Sequence, residues 1–376
     1  MKKIIIVGAG ASGVLCSIYL KQFMNNIEVI VLERNGSPLK KVLATGNGRC
    51  NLSNKDMSIT HYRSDDPDKV HSIINYDIIE EFNNLGIMTK YINDLLYPRS
   101  EQAITIRDCL YNMSVDLGVK YVFNQEVIDL NYNKKMIYTK DYDYSFDECI
   151  LAFGSPAGKL SGTSFKRFDM LRKLDLEIID LKPSLVSMKT RPILKELKGV
   201  RVKGTFSFEK HQEKGELLFT DYGVSGIAIM QLSKYFVGPS TLEIDLFNDY
   251  SDQELYKMIV ERQKEVYNHF YDGMVNSKLA DYLDRKNLTH PKEIVDALKH
   301  MKLEVMGLRD ERYAQVMRGG LAIKEVDESL ELIRYPHVYA LGELLNVDGD
   351  CGGYNLHFAF ACAYKAALGI ERKYHD

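Results

Sequence analysis

Gly8, Gly10 and Gly13 stand at G-x-G-x-x-G spacing near the start of the chain. That spacing suits a backbone that must meet a pyrophosphate. The first glycine permits a tight turn, the second lets phosphates reach the main chain, and the third lets the next helix lie close to the preceding strand. Ala11 and Ser12 fall at the start of that helix, where free N–H groups and the helix dipole favour negative charge. Glu33 follows twenty residues after Gly13, closing a second apolar strand, with Arg34 beside it. A carboxylate there can accept hydrogen bonds from a ribose diol and disfavours the 2′-phosphate of NADP. Residues 4–7 read as strand, 14–20 as helix and 28–32 as strand, so the glycines sit in the context they require. These residues alone leave NAD and FAD both open.

A second set of residues could serve the same ligand. Residues 40–54 form a loop rich in Gly and Asn that carries Lys41, Asn47, Gly48, Arg49 and Cys50. Its backbone N–H groups and cations can cradle phosphate or polar ring atoms. An apolar strand ends on Ala152 and runs into Gly154, which suits a further cofactor contact as well as an ordinary strand–turn. Near the C-terminus, strand 337–341 runs into Gly342 and Glu343, then Asp348, then Gly353, Tyr354, Asn355 and Leu356 at the start of a small-residue helix, 358–370. No pattern identifies a general acid or base. Tyr354, His357 and Cys351 are candidates by position only. The six cysteines form no C-x-x-C, and His269, His290 and His300 have no metal-ligand spacing, so reduced thiols and no metal site are expected.

The elements that must hold these residues fall into three stretches. Residues 1–181 and 308–376 carry pieces of one nucleotide site, which makes the middle an insertion. Residues 182–248 and 302–307 read as antiparallel β, with short alternating strands. Residues 249–301 read as three helices, 251–270, 277–285 and 291–301, with Ser251 and Thr289 as caps. Helices are also expected at 68–84 and 102–117, and a turn at 95–100. The fold class is therefore α/β: a split Rossmann-like domain with a β-barrel-like insert and a small helical domain. The chain has 376 residues, 49 Lys and Arg against 52 Asp and Glu, and a net charge of −3. That balance argues against nucleic acid or an anionic membrane as partner. With no leader evident before the first strand, a cytoplasmic location is expected. Nothing in the sequence speaks to oligomeric state.

These motifs together resemble one family of bacterial flavoproteins, the NAD(P)/FAD-dependent oxidoreductases similar to aminoacetone-oxidase-like and bile-acid-reducing enzymes. The resemblance runs through 7–13, Lys41 with 45–54, 215–226 and 342–356. It implies non-covalent FAD, with Gly8, Gly10, Ser12 and Gly13 on the pyrophosphate and Glu33 on the adenosine ribose. The Val127 backbone would meet adenine. Asn47, Gly48, Arg49 and Cys50 would line the central part of the cofactor, and Gly342–Glu343 would approach the ribityl chain. Gly353, Tyr354, Asn355 and Leu356 would open the last helix beneath the flavin. The family usually carries a glycine where Asn47 stands. The implied activity is hydride transfer between flavin and a small organic substrate. Reduction of a C=C bond with NAD(P)H as transient donor leads, an oxygen-using amine oxidase is the alternative, and an RNA-associated or non-catalytic flavoprotein is the reading from another class. No second G-x-G-x-x-G exists to hold a nicotinamide permanently.

Overall fold

Ile4, Ile5 and Ile6 are wholly buried, as a run of β-branched residues in a central parallel strand must be. In the computed structural model, which describes residues 1–160, 163–266 and 268–375, they lie in strand Lys2–Val7. The sheet order is Val338–Ala340, Glu148–Leu151, Lys2–Val7, Ile27–Glu33, Lys120–Phe123, all parallel. Helix Ala11–Phe23 follows the first strand, and the C-terminal helix Tyr354–His375 packs against it. Ala361, Ala363, Ala366 and Ala367 are fully buried on the C-terminal helix. Their small side chains allow two helices to approach closely, and Tyr19 and Phe23 set their rings edge-on to Tyr364 at 5.3 and 6.0 Å. Strand Val338–Ala340 thus enters the sheet of the first strand, although more than three hundred residues separate the two.

The chain divides into two compact units, one of Met1–Lys182 with Val316–Asp376, the other of Pro183–Gln315. The expected insertion began at 182 and returned at 308. Within the second unit the Gln315 N–H donates to the Leu185 carbonyl at 3.3 Å, so its two ends are adjacent. Six antiparallel strands close a barrel there: Met188–Arg191, Gly223–Ser225, His211–Phe219, Arg201–Phe208, Ser240–Asp245 and Met301–Leu308. Arg201–Phe208 alternates outward and buried positions, the period of a strand with one face on a core. Phe206, Phe208, Leu217, Phe219, Leu242 and Ile244 fill the barrel.

Three helices, Asp252–Glu265, Ser277–Asp284 and Pro291–Lys299, pack Leu255, Ile259, Leu283, Ile294 and Leu298 into the same core. Ser251 makes a full capping box with Glu254. The third helix is capped by the His290 side chain, not by Thr289. The expected helix 68–84 is two, Pro67–Ile74 and Ile78–Asn84, because Asp77 accepts from the Ile79 and Glu80 N–H groups and restarts the helix. The expected turn at 95–100 is a strand, Leu95–Pro98, paired with Thr89–Ile92.

Lys299 is 5% exposed. Its ammonium donates to Asp245 Oδ2 at 2.8 Å and to the Phe247 and Tyr250 carbonyls at 3.0 and 2.7 Å, tying the third helix to the barrel. Lys299→Met keeps the stem and leaves those oxygens without a donor. The unfolding free energy in urea is expected to fall by about 2–4 kcal/mol. A change under 1 kcal/mol would show that water replaces the ammonium at no cost.

Candidate functional site

Helix Ala11–Phe23 begins with no capping side chain and no acid in its first turn, so its positive end is open. A Cβ on Gly13 would stand 2.1 Å from the Gly8 carbonyl oxygen, which is why helix and strand can meet only at glycine. At Gly10 the nearest atom to a Cβ is 4.0 Å away, so this side of the loop is open to a ligand. Glu33 is buried beside it. Its Oε2 accepts from the Ala9 N–H at 2.8 Å, and its Oε1 accepts from the Asn35 N–H and Nδ2 at 2.7 and 2.8 Å. A carboxylate has about four acceptor sites, so Oε2 retains one for a ribose hydroxyl. Arg34 points away to Glu126, 3.5 Å from it, and Arg167 pairs with the same carboxylate. Val127 starts strand Val127–Asn131 directly after Glu126.

The widely separated loops meet here. A Cβ on Gly342 would stand 2.9 Å from Ser12 Oγ, which places the C-terminal glycine turn on the start of the first helix. Lys41 Nζ lies 2.5 Å from Glu343 Oε2, and Ser155 Oγ donates to Glu343 Oε1 at 2.6 Å. Ala152 and Gly154 flank this cluster through the strand end, with open space where a Gly154 Cβ would point. Asn47, Gly48 and Arg49 are exposed, with the Arg49 guanidinium 4.8 Å from the Tyr97 ring centroid and 3.6 Å from Glu101. Cys50 is buried, and burial pushes its thiol up to about 12. Cys16, Cys50, Cys109, Cys149 and Cys362 are free thiols, and a thiol kept protonated by burial reacts little.

At the last glycine turn, Gly353 has φ +96°, and a Cβ there would stand 2.6 Å from the Ser53 carbonyl oxygen. Asn355 closes the loop before it: its Oδ1 accepts from the Gly349 N–H at 2.8 Å and its Nδ2 donates to the Gly349 carbonyl at 2.9 Å. Its side chain is therefore a loop clamp, and only its backbone remains for a ligand. Leu356 is half-buried, packed against the core. Tyr354 is 4% exposed, and burial, with the charges of Asp56 and Asp350, pushes its phenol up to about 12.

Several residues that the sequence did not single out complete this face. The His61 ring stacks on Tyr354, centroids 4.5 Å apart, with Nδ1 3.2 Å from Asp350 and Nε2 3.1 Å from Asp56. Arg63 pairs with buried Asp348 and lies 3.7 Å from Asp350. The Asn51 Oδ1 and the Gln125 Oε1 are buried without a partner among the described residues. Buried acceptors without donors are uncommon, and a ligand is one way to satisfy them. The open helix start, the spare Glu33 site and these acceptors fit a dinucleotide laid across the loops. Among the described residues, Glu148, Glu331 and His337 converge as metal ligands could, but the Lys373 ammonium already lies 2.6 Å from Glu331 and 3.7 Å from Glu148.

A family model described as the HI0933-like protein Rossmann domain matches residues 2–369. The chain belongs to the HI0933-like family. It is an FAD-binding Rossmann family, and the protein is an FAD-dependent oxidoreductase. It is 28% identical to a 3-dehydro-bile acid delta(4,6)-reductase of Clostridium scindens, over 99% of this chain and 100% of that one. It is 27% identical to a ribosomal RNA dihydrouridine synthase of Haemophilus influenzae, over 98% of each. A 3-ketosteroid-delta4-(5alpha)-dehydrogenase of Rhodococcus jostii shares the fold, with TM-score 0.52 and 13% identity over 98% of this chain and 97% of that one. No helix among the described residues is long and apolar enough to cross a membrane.

His357 is removed from the candidate acids. It is 2% exposed, its Nδ1 accepts from Ser53 Oγ at 2.8 Å and its Nε2 donates to the Ile74 carbonyl at 3.0 Å. Burial pushes it down to about 4, so it is neutral. The unfolded chain, near 6.5, binds that proton more readily. The stabilisation is complete above about pH 6.5 and is lost as pH falls toward 4, by about 3 kcal/mol in all. His357→Gln should flatten the stability curve of wild type between those pH values by that amount. Parallel curves for the two proteins would place the titration elsewhere.

Proposed function

We infer that the protein reduces a carbon–carbon double bond conjugated to a carbonyl, with FAD as carrier and NADH or NADPH as transient donor. The observation that carries this is shared chemistry: a delta(4,6)-reductase and a dihydrouridine synthase both saturate ring C=C bonds, and both match this chain from end to end. FAD, when bound, supplies hydride transfer. The chain would hold it through the open start of helix Ala11–Phe23, Glu33 toward the adenosine ribose, Gly342 and Glu343, and the start of helix Tyr354–His375. That second helix start favours negative charge. Saturating the bond also needs a proton on the carbon next to the carbonyl. His61 is placed to pass one, because its partly exposed ring is linked to Asp56, a solvent-facing carboxylate.

The favoured substrate is a small organic molecule. A uridine in ribosomal RNA is the second reading, and full-length coverage supports it: the H. influenzae enzyme brings no large RNA-binding segment that this chain lacks. The net charge of −3 weighs the other way.

Purified protein should release FAD on heating. Mixed anaerobically with NADH and NADPH, it should bleach, and a conjugated enone should restore its colour at least tenfold faster than buffer, giving a product two mass units heavier. Reoxidation by a uridine-containing ribosomal RNA fragment alone would select the second reading. Insensitivity to every conjugated alkene, with rapid oxygen-dependent turnover of an amine, would install the oxidase instead.

Glu33→Ala removes three loop hydrogen bonds as well as the ribose acceptor. FAD affinity should drop by about 1.5–3 kcal/mol, roughly ten- to a hundredfold, and the apo protein should also melt lower. An unchanged dissociation constant would mean that Glu33 serves the loop alone.

A further inference from the structure

We propose that the barrel unit carries an oxyanion-binding site centred on Arg309, which takes a carboxylate or phosphate group of a small ligand. The Arg309 guanidinium lies 4.1 Å from the Tyr222 ring centroid and 3.2 Å from that of Tyr313. Its backbone is fixed too, with the N–H donating to the Ser187 carbonyl at 3.1 Å. Two aromatic contacts hold the planar group without consuming its N–H donors. Among the described residues the guanidinium has no hydrogen bond and no ion pair, although it is only half exposed.

A hydroxyl chain runs beside it. Tyr222 Oη donates to Ser187 Oγ at 3.3 Å, and Ser187 Oγ donates to Ser225 Oγ at 2.8 Å. The Ser225 hydroxyl proton then has no acceptor among the described residues. The hydroxyl chain is tied to Arg309 through the Tyr222 ring and the Ser187 carbonyl, and it ends on a donor at Ser225. The nearest acids each have another cation as main partner, Asp221 with Lys198 at 2.6 Å and Asp310 with Arg312 at 3.0 Å, and the charge of Arg309 adds to both without an ion pair. A held cation and an aligned hydroxyl, both donors, form a place for an anion with two or more oxygens. Tyr222 and Ser225 belong to the 215–226 stretch, which the cofactor site leaves unused.

The test uses the FAD-loaded full chain with ¹⁵N-labelled arginine. The Arg309 Nε–H resonance is assigned by its loss in Arg309→Lys. Inorganic phosphate and acetate are titrated separately at fixed ionic strength, with the Arg312 resonance as control. A saturable shift at Arg309 and none at Arg312 is expected; phosphate alone selects a phosphate ester, acetate alone a carboxylate, and both the shared chemistry. No shift, or a shift that tracks Arg312, overturns the site.

Discussion

The Rossmann unit depends on one close approach, that of Gly13 to the Gly8 carbonyl. A methyl group there would have to occupy space 2.1 Å from an oxygen, so any other residue drives the helix off the sheet. The approach puts the open end of helix Ala11–Phe23 at the strand's end. It also fixes the groove into which Tyr354–His375 packs, and hence where the last glycine turn must lie. Gly342 on Ser12 and Glu343 between Lys41 and Ser155 are consequences of that packing. Ligand-binding groups from both chain ends converge because two helices share one small-residue seam.

Local signals were legible in the sequence and distant ones were not. The glycine spacing, the acid after the second strand and the Ser251–Glu254 cap each lie within one element or one turn of it. The break at 75–77 was missed because apolar periodicity continues through it while a single aspartate cap restarts the helix. Leu95–Pro98 read as a turn because Pro98 and the following Arg99–Ser100 are turn residues; its partner Thr89–Ile92 makes it a strand. The His61 and Arg63 cluster could not be read at all. Arg63 and Asp348 are 285 residues apart, and only the pairing of Tyr62–Ser64 with Val347–Gly349 brings them together. The role of Asn355 was half legible: its place in the motif was evident, its use as a clamp on Gly349 was not.

Burial sorts the groups that could do chemistry. Cys16, Cys50, Cys149 and Cys362 are all pushed up by burial, and His357 is pushed down. Each is held in its neutral form, where it packs and reacts little. His61 and Arg63 keep solvent contact beside Tyr354 and lie against the Asp350 and Asp348 carboxylates. A reaction that must add a proton to carbon needs a group that can reload from solvent, and the buried groups cannot.

Charge also limits how an RNA substrate could be held. Affinity for a polynucleotide backbone comes mainly from many cations releasing counterions, each contributing to the salt dependence. This chain has more acids than bases, and many of its exposed cations are paired, as Lys198 is with Asp221 and Arg201 with Glu216. A single guanidinium such as that of Arg309 provides about one unit of salt slope, too little to anchor a duplex. An RNA bound here would have to be recognised through an extruded base and one phosphate, at modest cost in salt sensitivity. A small acid would need no more than one such contact.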